Sequence, residues 1–452
     1  MDDPLAELRN VDNTPGRHRA AMEMLDADRS NPARSEALHR VLYVNGYTPQ
    51  VREDALNRLA EEDLEGLKTT LRQRIPRLVA WAWLERVCEI IAERGWSDLT
   101  PALVSSWARP TIMVLEERER PEYKALVSLH GEARVPDVLY TTLLETRSVA
   151  EQGLRTRCWT LLMRLGERQR LVDLLRQADI PADDLFLLDL RAAAVELSVF
   201  PSNREEILWA RSLRDPSRRV FWNEASTAVA ALPAHRRTEL ELRDLPILVA
   251  AHRHEPELLL ADNDELYRMV DQYVRSGRRH IASRSFEGSI GHYAQELFEH
   301  RRNLTWGDLV AMLMAVRAMQ TPEVVAHLFD YADRDLNDKT TEYGGILQLD
   351  ARGRFEVVEF PPRHREHDQK FNAPNEMFEA GYTALFHFHF HAQRYNNATY
   401  AGPGEGDLRY AEATRANCLV MTFISRGVMN VDFFRHGNVM VDLGEINRPE
   451  SR

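Results

Sequence analysis

LFHFHFHAQRYNNATYAGPGEGDL, residues 385–408, is the stretch on which the reading of the fold turns. In an extended strand successive side chains alternate between faces, so His387, His389 and His391 share one face and Phe386, Phe388 and Phe390 the other. The phenylalanine face suits a core and the histidine face suits chemistry. Two imidazoles two residues apart on a strand can both reach one small cation, and neutral imidazole is a common zinc ligand. Asp407 lies beyond a turn containing Gly402, Pro403 and Gly404, which can fold back and bring a third ligand. Three histidines on one face weigh against a merely exposed aromatic strand. A surface metal trap without catalysis has the same spacing, and the spacing does not separate the two.

A group able to act on water held at such a site stands upstream. Glu342 precedes Tyr343-Gly344-Gly345-Ile346-Leu347-Gln348-Leu349, where two glycines and an apolar run predict a tight entry into a strand. Other acids and imidazoles compete for the role: Glu405, Asp350, His364, His367 and His436. The segment around His364-Arg365-Glu366-His367-Asp368 is polar and flanked by prolines, and reads as a loop over the site rather than a helix.

The order Glu342-x-Gly344-Gly345-Ile346-Leu347, then a strand ending in His389-x-His391, then Pro403-Gly404-x-Gly406-Asp407-Leu408, resembles the JAMM motif of the JAB/MPN family of zinc metalloproteases. The resemblance covers roughly the last third of the chain. It implies a mixed α/β domain, a curved sheet packed against helices, with Zn2+ held by His389, His391 and Asp407 and with Glu342 activating water. His387 has no counterpart in the motif and is expected beside the site. The chain departs from the family at three points: Gly404 stands where a serine usually helps to stabilise the oxyanion, Ala392 where a proline follows the second histidine, and the loop from His391 to Asp407 is longer. Loss of one oxyanion donor costs about 10²–10³ in rate in other hydrolases, so lowered or altered activity is expected. Thr399 and Asn397, in the longer loop, are the groups at hand to replace it.

Downstream, Leu408–Ala416 reads as a short helix, and residues 418–424, 428–434 and 439–443 read as strands of a terminal meander. Upstream, from about residue 17 to about 335, strand alternation is scarce and helix-period segments recur between turns. Val51–Leu56 leading to Leu67–Gln73 is echoed by Leu154–Trp159 leading to Leu171–Gln177, a pattern that resembles HEAT-type helical hairpins. Such arrays present long surfaces to proteins. The expected fold is therefore an α+β two-domain chain. Residues 1–16 are a flexible N-terminus, 17–303 an α-helical repeat-like domain, 304–447 the JAB/MPN-like domain and 448–452 a tail.

With 58 Lys+Arg against 70 Asp+Glu the net charge is −12, which argues against general nucleic-acid binding. Three widely spaced cysteines indicate neither a disulfide framework nor a cysteine zinc site. No apolar leader or run of membrane length occurs, so a cytoplasmic protein with no membrane partner is expected. The resemblance makes it a metallopeptidase or isopeptidase acting on a protein or peptide, with a ubiquitin-like or small carrier protein as one candidate partner. The alternative is a non-catalytic adaptor with a JAMM-like scaffold domain.

Overall fold

The computed structural model describes residues 3–109, 116–147, 152–177, 179–280, 284–286, 289–291 and 295–450. The chain divides into two compact units, Met1–Gln177 and Ala178–Arg452.

The first unit is helical throughout its described residues. Its helices begin where capping chemistry directs. Pro15–Leu25, Pro32–Val41 and Pro49–Glu62 each start on a proline, whose missing N–H costs nothing there. The preceding Thr14, Asn31 and Thr48 side chains accept the free N–H groups of Arg17, Ala33 and Val51. The two self-similar stretches are consecutive helix pairs, Pro49–Glu62 with Leu64–Arg74 and Gln152–Arg164 with Arg168–Arg176. The segment expected to be a flexible N-terminus holds a helix, Pro4–Arg9, capped by Asp3, and Leu8 within it is fully buried. Residues 1–2 and 451–452, the extremes of the expected N-terminal segment and tail, lie outside the described residues.

The second unit starts well before residue 304, with helices Leu185–Glu196, Arg204–Leu213, Arg219–Ala231, Asp244–His254 and Asn263–Ser276. Expected to continue the array, they instead share one core with the C-terminal sheet: Ala193, Trp209, Trp222 and Leu248 belong to the same buried cluster as Phe386, Phe388 and Phe433. The cause lies in helix Trp306–Met319, whose buried residues occupy every side. A helix apolar all round must be covered all round, and the sheet covers only part of it.

Two short strands, β1 (Arg284–Phe286) and β2 (Ser289–Gly291), pair antiparallel. The main sheet comprises β3 (Gly344–Leu349), β4 (Phe355–Phe360), β5 (Phe386–His391), β6 (Cys418–Ser425), β7 (Val428–Arg435) and β8 (Val439–Asn447), in the order β4-β3-β5-β6-β7-β8. Its single parallel pair is β5 with β6, and the crossover that parallel pairing requires carries helix Glu405–Thr414. The terminal meander β6-β7-β8 is as expected, except that β8 continues to Asn447. Arg448 is held too, by ion pairs to Asp333 and a main-chain bond to Gly427.

The alternation in β5 is realised. Phe386, Phe388 and Phe390 join the core shared with Trp306–Met319 and Pro322–Asn337. The opposite face of the sheet meets helix Glu405–Thr414 through Leu408, Ala411, Cys418, Val420 and Phe434. The glycine pair after Glu342 permits close strand approach: a Cβ on Gly345 would lie 2.1 Å from the Val358 carbonyl oxygen, and one on Gly344 would lie 2.5 Å from that of Phe388.

One buried ionic cluster ties the helical layer to the sheet. Asp308 Oδ1 accepts from Arg243 Nη1 at 2.8 Å and from Arg435 Nε at 2.9 Å, while Asp308 Oδ2 accepts from Arg435 Nη2 at 2.8 Å. Arg243 Nη1 also donates to Asn417 Oδ1 at 2.8 Å, and the Asn417 carbonyl accepts the His387 N–H at 2.9 Å. Burial opposes the charge on Asp308, but the two guanidinium groups hold its carboxyl down at about 2.

Candidate metal centre

Four side chains from three places in the chain meet beside the end of β5. Glu342 enters from the turn before β3, His389 and His391 from β5, and Asp407 from the first turn of the crossover helix Glu405–Thr414. The two imidazole Nε2 atoms are 3.3 Å apart. Asp407 Oδ1 lies 3.2 Å from His389 Nε2, and Asp407 Oδ2 lies 3.6 Å from His391 Nε2. Glu342, His389 and His391 each offer one donor atom within 4.8 Å of the others, and this group could hold a metal ion.

Each donor is oriented from behind. His391 Nδ1 meets the Tyr400 carbonyl at 2.8 Å, which leaves Nε2 turned toward the centre. Asp407 Oδ2 accepts the Gly404 N–H at 2.6 Å, so the turn that begins the helix also fixes the carboxylate. Glu342 Oε1 accepts from Gln393 Nε2 at 2.8 Å. Gln393 is fixed in turn by Asn397, whose Nδ2 donates to Gln393 Oε1 at 2.7 Å and to the His391 carbonyl at 3.0 Å.

The electrostatics follow from burial and mutual charge. Burial works against a charged His389, but the Asp407 carboxylate, with Glu342 and Asp335 adding to it, lifts its pKa to about 9. Asp407, despite burial, is held well below the usual carboxylate range by the two imidazoles. Burial raises Glu342 above the ordinary carboxyl value, against the pull of His391 and His389. Asp335, on helix Pro322–Asn337, is pushed up to about 8 by burial, and its Oδ2 has no hydrogen-bond partner among the described residues.

His387 points to the same side of β5 but does not join the cluster. Its Nδ1 meets Tyr410 Oη at 2.8 Å, its Nε2 packs where a Cβ on Gly381 would be, 2.1 Å away, and burial pushes its pKa down to about 4. Thr399 stands exposed on the short turn Ala398–Tyr400, and Asn397 is buried with its amide N–H groups engaged as above. Gly404, with no side chain to donate, has its N–H turned to Asp407.

Three of the competing groups are engaged elsewhere: His436 meets Glu241 at 2.9 Å, Glu405 pairs with Arg409 and Asp350 closes a turn with Arg354. His364 and His367 are exposed in a segment without regular structure, and His364 lines a cavity beside Glu342, His389 and Asp407. Sequence reasoning missed Gln393 and Asp335. For Gln393 the one available signal is its position two residues after His391, where a continuing alternation keeps it on the histidine face. Compared with protein-family models, with curated proteins and with solved structures, the chain matches none.

Proposed function

We propose that this chain is a zinc-dependent hydrolase of the JAMM type, cutting a peptide or isopeptide bond. The observation that carries the reading is the convergence of His389, His391 and Asp407 with the Glu342 carboxyl beside them. The two Nε2 atoms stand 3.3 Å apart, the edge of about 3.3–3.4 Å that a tetrahedron has when zinc binds at about 2.0–2.1 Å, and the Asp407 carboxylate faces both, Oδ1 at 3.2 Å from His389 and Oδ2 at 3.6 Å from His391. Three protein ligands leave a fourth position open, the mark of a catalytic rather than a structural zinc site.

A bound zinc supplies Lewis acidity, lowering the pKa of water at the open position and polarising the scissile carbonyl. Glu342, beside the two imidazoles, would take the proton of the attacking water and pass it on to the leaving amine. Water oxygen joins the acyl carbon as the C–N bond breaks, and the proton ends on the amine. Gln393 keeps the carboxylate aimed during both transfers. The helical unit Met1–Gln177 is assigned to a protein substrate or partner, with a ubiquitin-like or small carrier protein as the candidate class.

The non-catalytic adaptor is favoured by one feature, Gly404, which brings no oxyanion donor. One experiment separates the readings. Protein purified without chelator or added metal is assayed for metal content beside the His389→Ala/His391→Ala double variant, and wild type and Glu342→Gln are screened on peptide and isopeptide substrates. The hydrolase gives about one zinc per chain, lost in the double variant, with Glu342→Gln retaining zinc but not turnover. Absence of zinc after reconstitution, or turnover unchanged in Glu342→Gln, refutes it.

A further inference from the structure

A cavity of about 590 Å³ opens beside Glu342, His389 and Asp407, within the size range of small-ligand sites. One wall of it is built of apolar side chains from four places in the chain. Phe371 comes from the segment after β4, Met377 and Phe378 from helix Asn375–Gly381, and Tyr410 from the crossover helix, with Phe434 from β7 behind them. Phe378 and Tyr410 lie with ring centroids 6.1 Å apart, and His387 stands 6.0 Å from Tyr410. The polar atoms of that wall satisfy each other, since His387 Nδ1 and Tyr410 Oη bond at 2.8 Å. That wall offers a ring or a large aliphatic group a surface to bury against.

The mouth has the opposite character. Arg363 lines it, is exposed, and carries no ion pair among the described residues. Arg409 and Lys370 stand with it, each paired only to an exposed carboxylate one helical turn or four residues away, Glu405 and Glu366. Pairs of that kind are worth little and exchange readily for a ligand's charge.

We infer that the cavity is a specificity site, receiving an aromatic or similarly bulky apolar group beside the scissile amide, with an anionic group of the same substrate meeting Arg363 at the mouth. The substrate class is an amide flanked by an aromatic or large aliphatic residue and then an acidic group or free carboxylate. The inference rests on the hydrolase reading for the bond that is cut, but the binding it requires does not.

The test therefore uses chelator-treated, metal-free protein and simple probes. Calorimetry or ligand-observed NMR measures binding of 3-phenylpropanoate, with propanoate and 3-phenylpropan-1-ol as partners lacking the ring or the charge. Burying a phenyl ring makes 3-phenylpropanoate bind about tenfold or more tighter than propanoate. Phe378→Ala, on a half-buried residue outside the sheet core, removes that preference; Arg363→Ala, on an exposed one, removes the preference for the acid over the alcohol. Thermal melts confirm that both variants fold. Equal binding of 3-phenylpropanoate and propanoate, or a ring preference that survives Phe378→Ala, overturns the inference. A charge preference that survives Arg363→Ala overturns its anionic half. Because no metal is present, failure of the zinc experiment above and failure here are separate results.

Discussion

Asp308→Asn is the substitution whose cost the structure specifies best. It removes the one carboxylate lying between two buried guanidinium groups, Arg243 and Arg435, at 2.8–2.9 Å from each. The depression of Asp308 from 3.8 to about 2 corresponds to roughly 2–3 kcal/mol of native-state preference for the ionised form. Removing a partner from a buried charge commonly costs about 3–5 kcal/mol; Arg243 keeps its pair with Glu241 and asparagine keeps one acceptor, so a loss at the lower end, about 3 kcal/mol, is expected at pH 7. Hydrogen exchange of β6 and β7 measures it, because those amides report on the second unit alone. The sign of the pH dependence follows from the depressed pKa. Wild type has the full contribution above about pH 4 and loses it as pH falls through about 2, so the gap to the variant narrows by about 1 kcal/mol by pH 3. Asp244, pushed up to about 7 by burial and 3.7 Å from Arg243, is the group able to compensate by ionising in the variant. Adding Asp244→Asn should deepen the loss, although alone at pH 8 it should stabilise wild type. A cost below about 1 kcal/mol at pH 7 would show that this cluster is not holding the helical layer to the sheet.

Other perturbations bear on the site itself. Asp407→Ala and His391→Ala should each lose the metal, and elemental analysis finding about one zinc per chain in both would refute the ligand assignment. Gln393→Leu removes the hydrogen bond that lowers Glu342, so the acid limb of the pH–rate profile should move upward and kcat fall about tenfold, with KM and zinc content unchanged. An unshifted limb would mean that Gln393 does not set the carboxylate. Gly381→Ala places a Cβ 2.1 Å from His387 Nε2 and should displace that ring and weaken 3-phenylpropanoate binding while leaving zinc bound; unchanged His387 resonances would contradict it.

The sequence made the site more legible than the architecture around it. His389, His391 and Asp407 could be read because strand alternation and a folding-back turn are local rules, whereas Glu342 was picked out by the resemblance of the motif order; the structure brings all four together. The three last strands were legible for the same reason. The extent of the second unit was not, because a helix's apolar face says that it packs but not on what. Leu185–Glu196 and Arg204–Leu213 have the same periodicity as helices of the first unit, yet Trp209 Nε1 donates to the Tyr382 carbonyl at 2.8 Å across 173 positions. Asn397 shows the same limit at the site. Its residue type suited an oxyanion donor, but only the fold reveals that its amide is committed to Gln393 and the His391 carbonyl.

That long-range core has a consequence for biosynthesis. Helices Leu185–Glu196 to Asn263–Ser276 leave the ribosome before any strand of the main sheet that completes their core, and the cluster they belong to closes only with Val439, Val441 and Ile446 of β8. At about 5–20 residues per second, their apolar faces stay uncovered for roughly ten seconds or more of synthesis. The first unit, whose described helices fold on neighbours close in sequence, has no such wait. Nascent chains paused before β8 should therefore engage chaperones through the 178–303 segment, and release should coincide with emergence of the last strand.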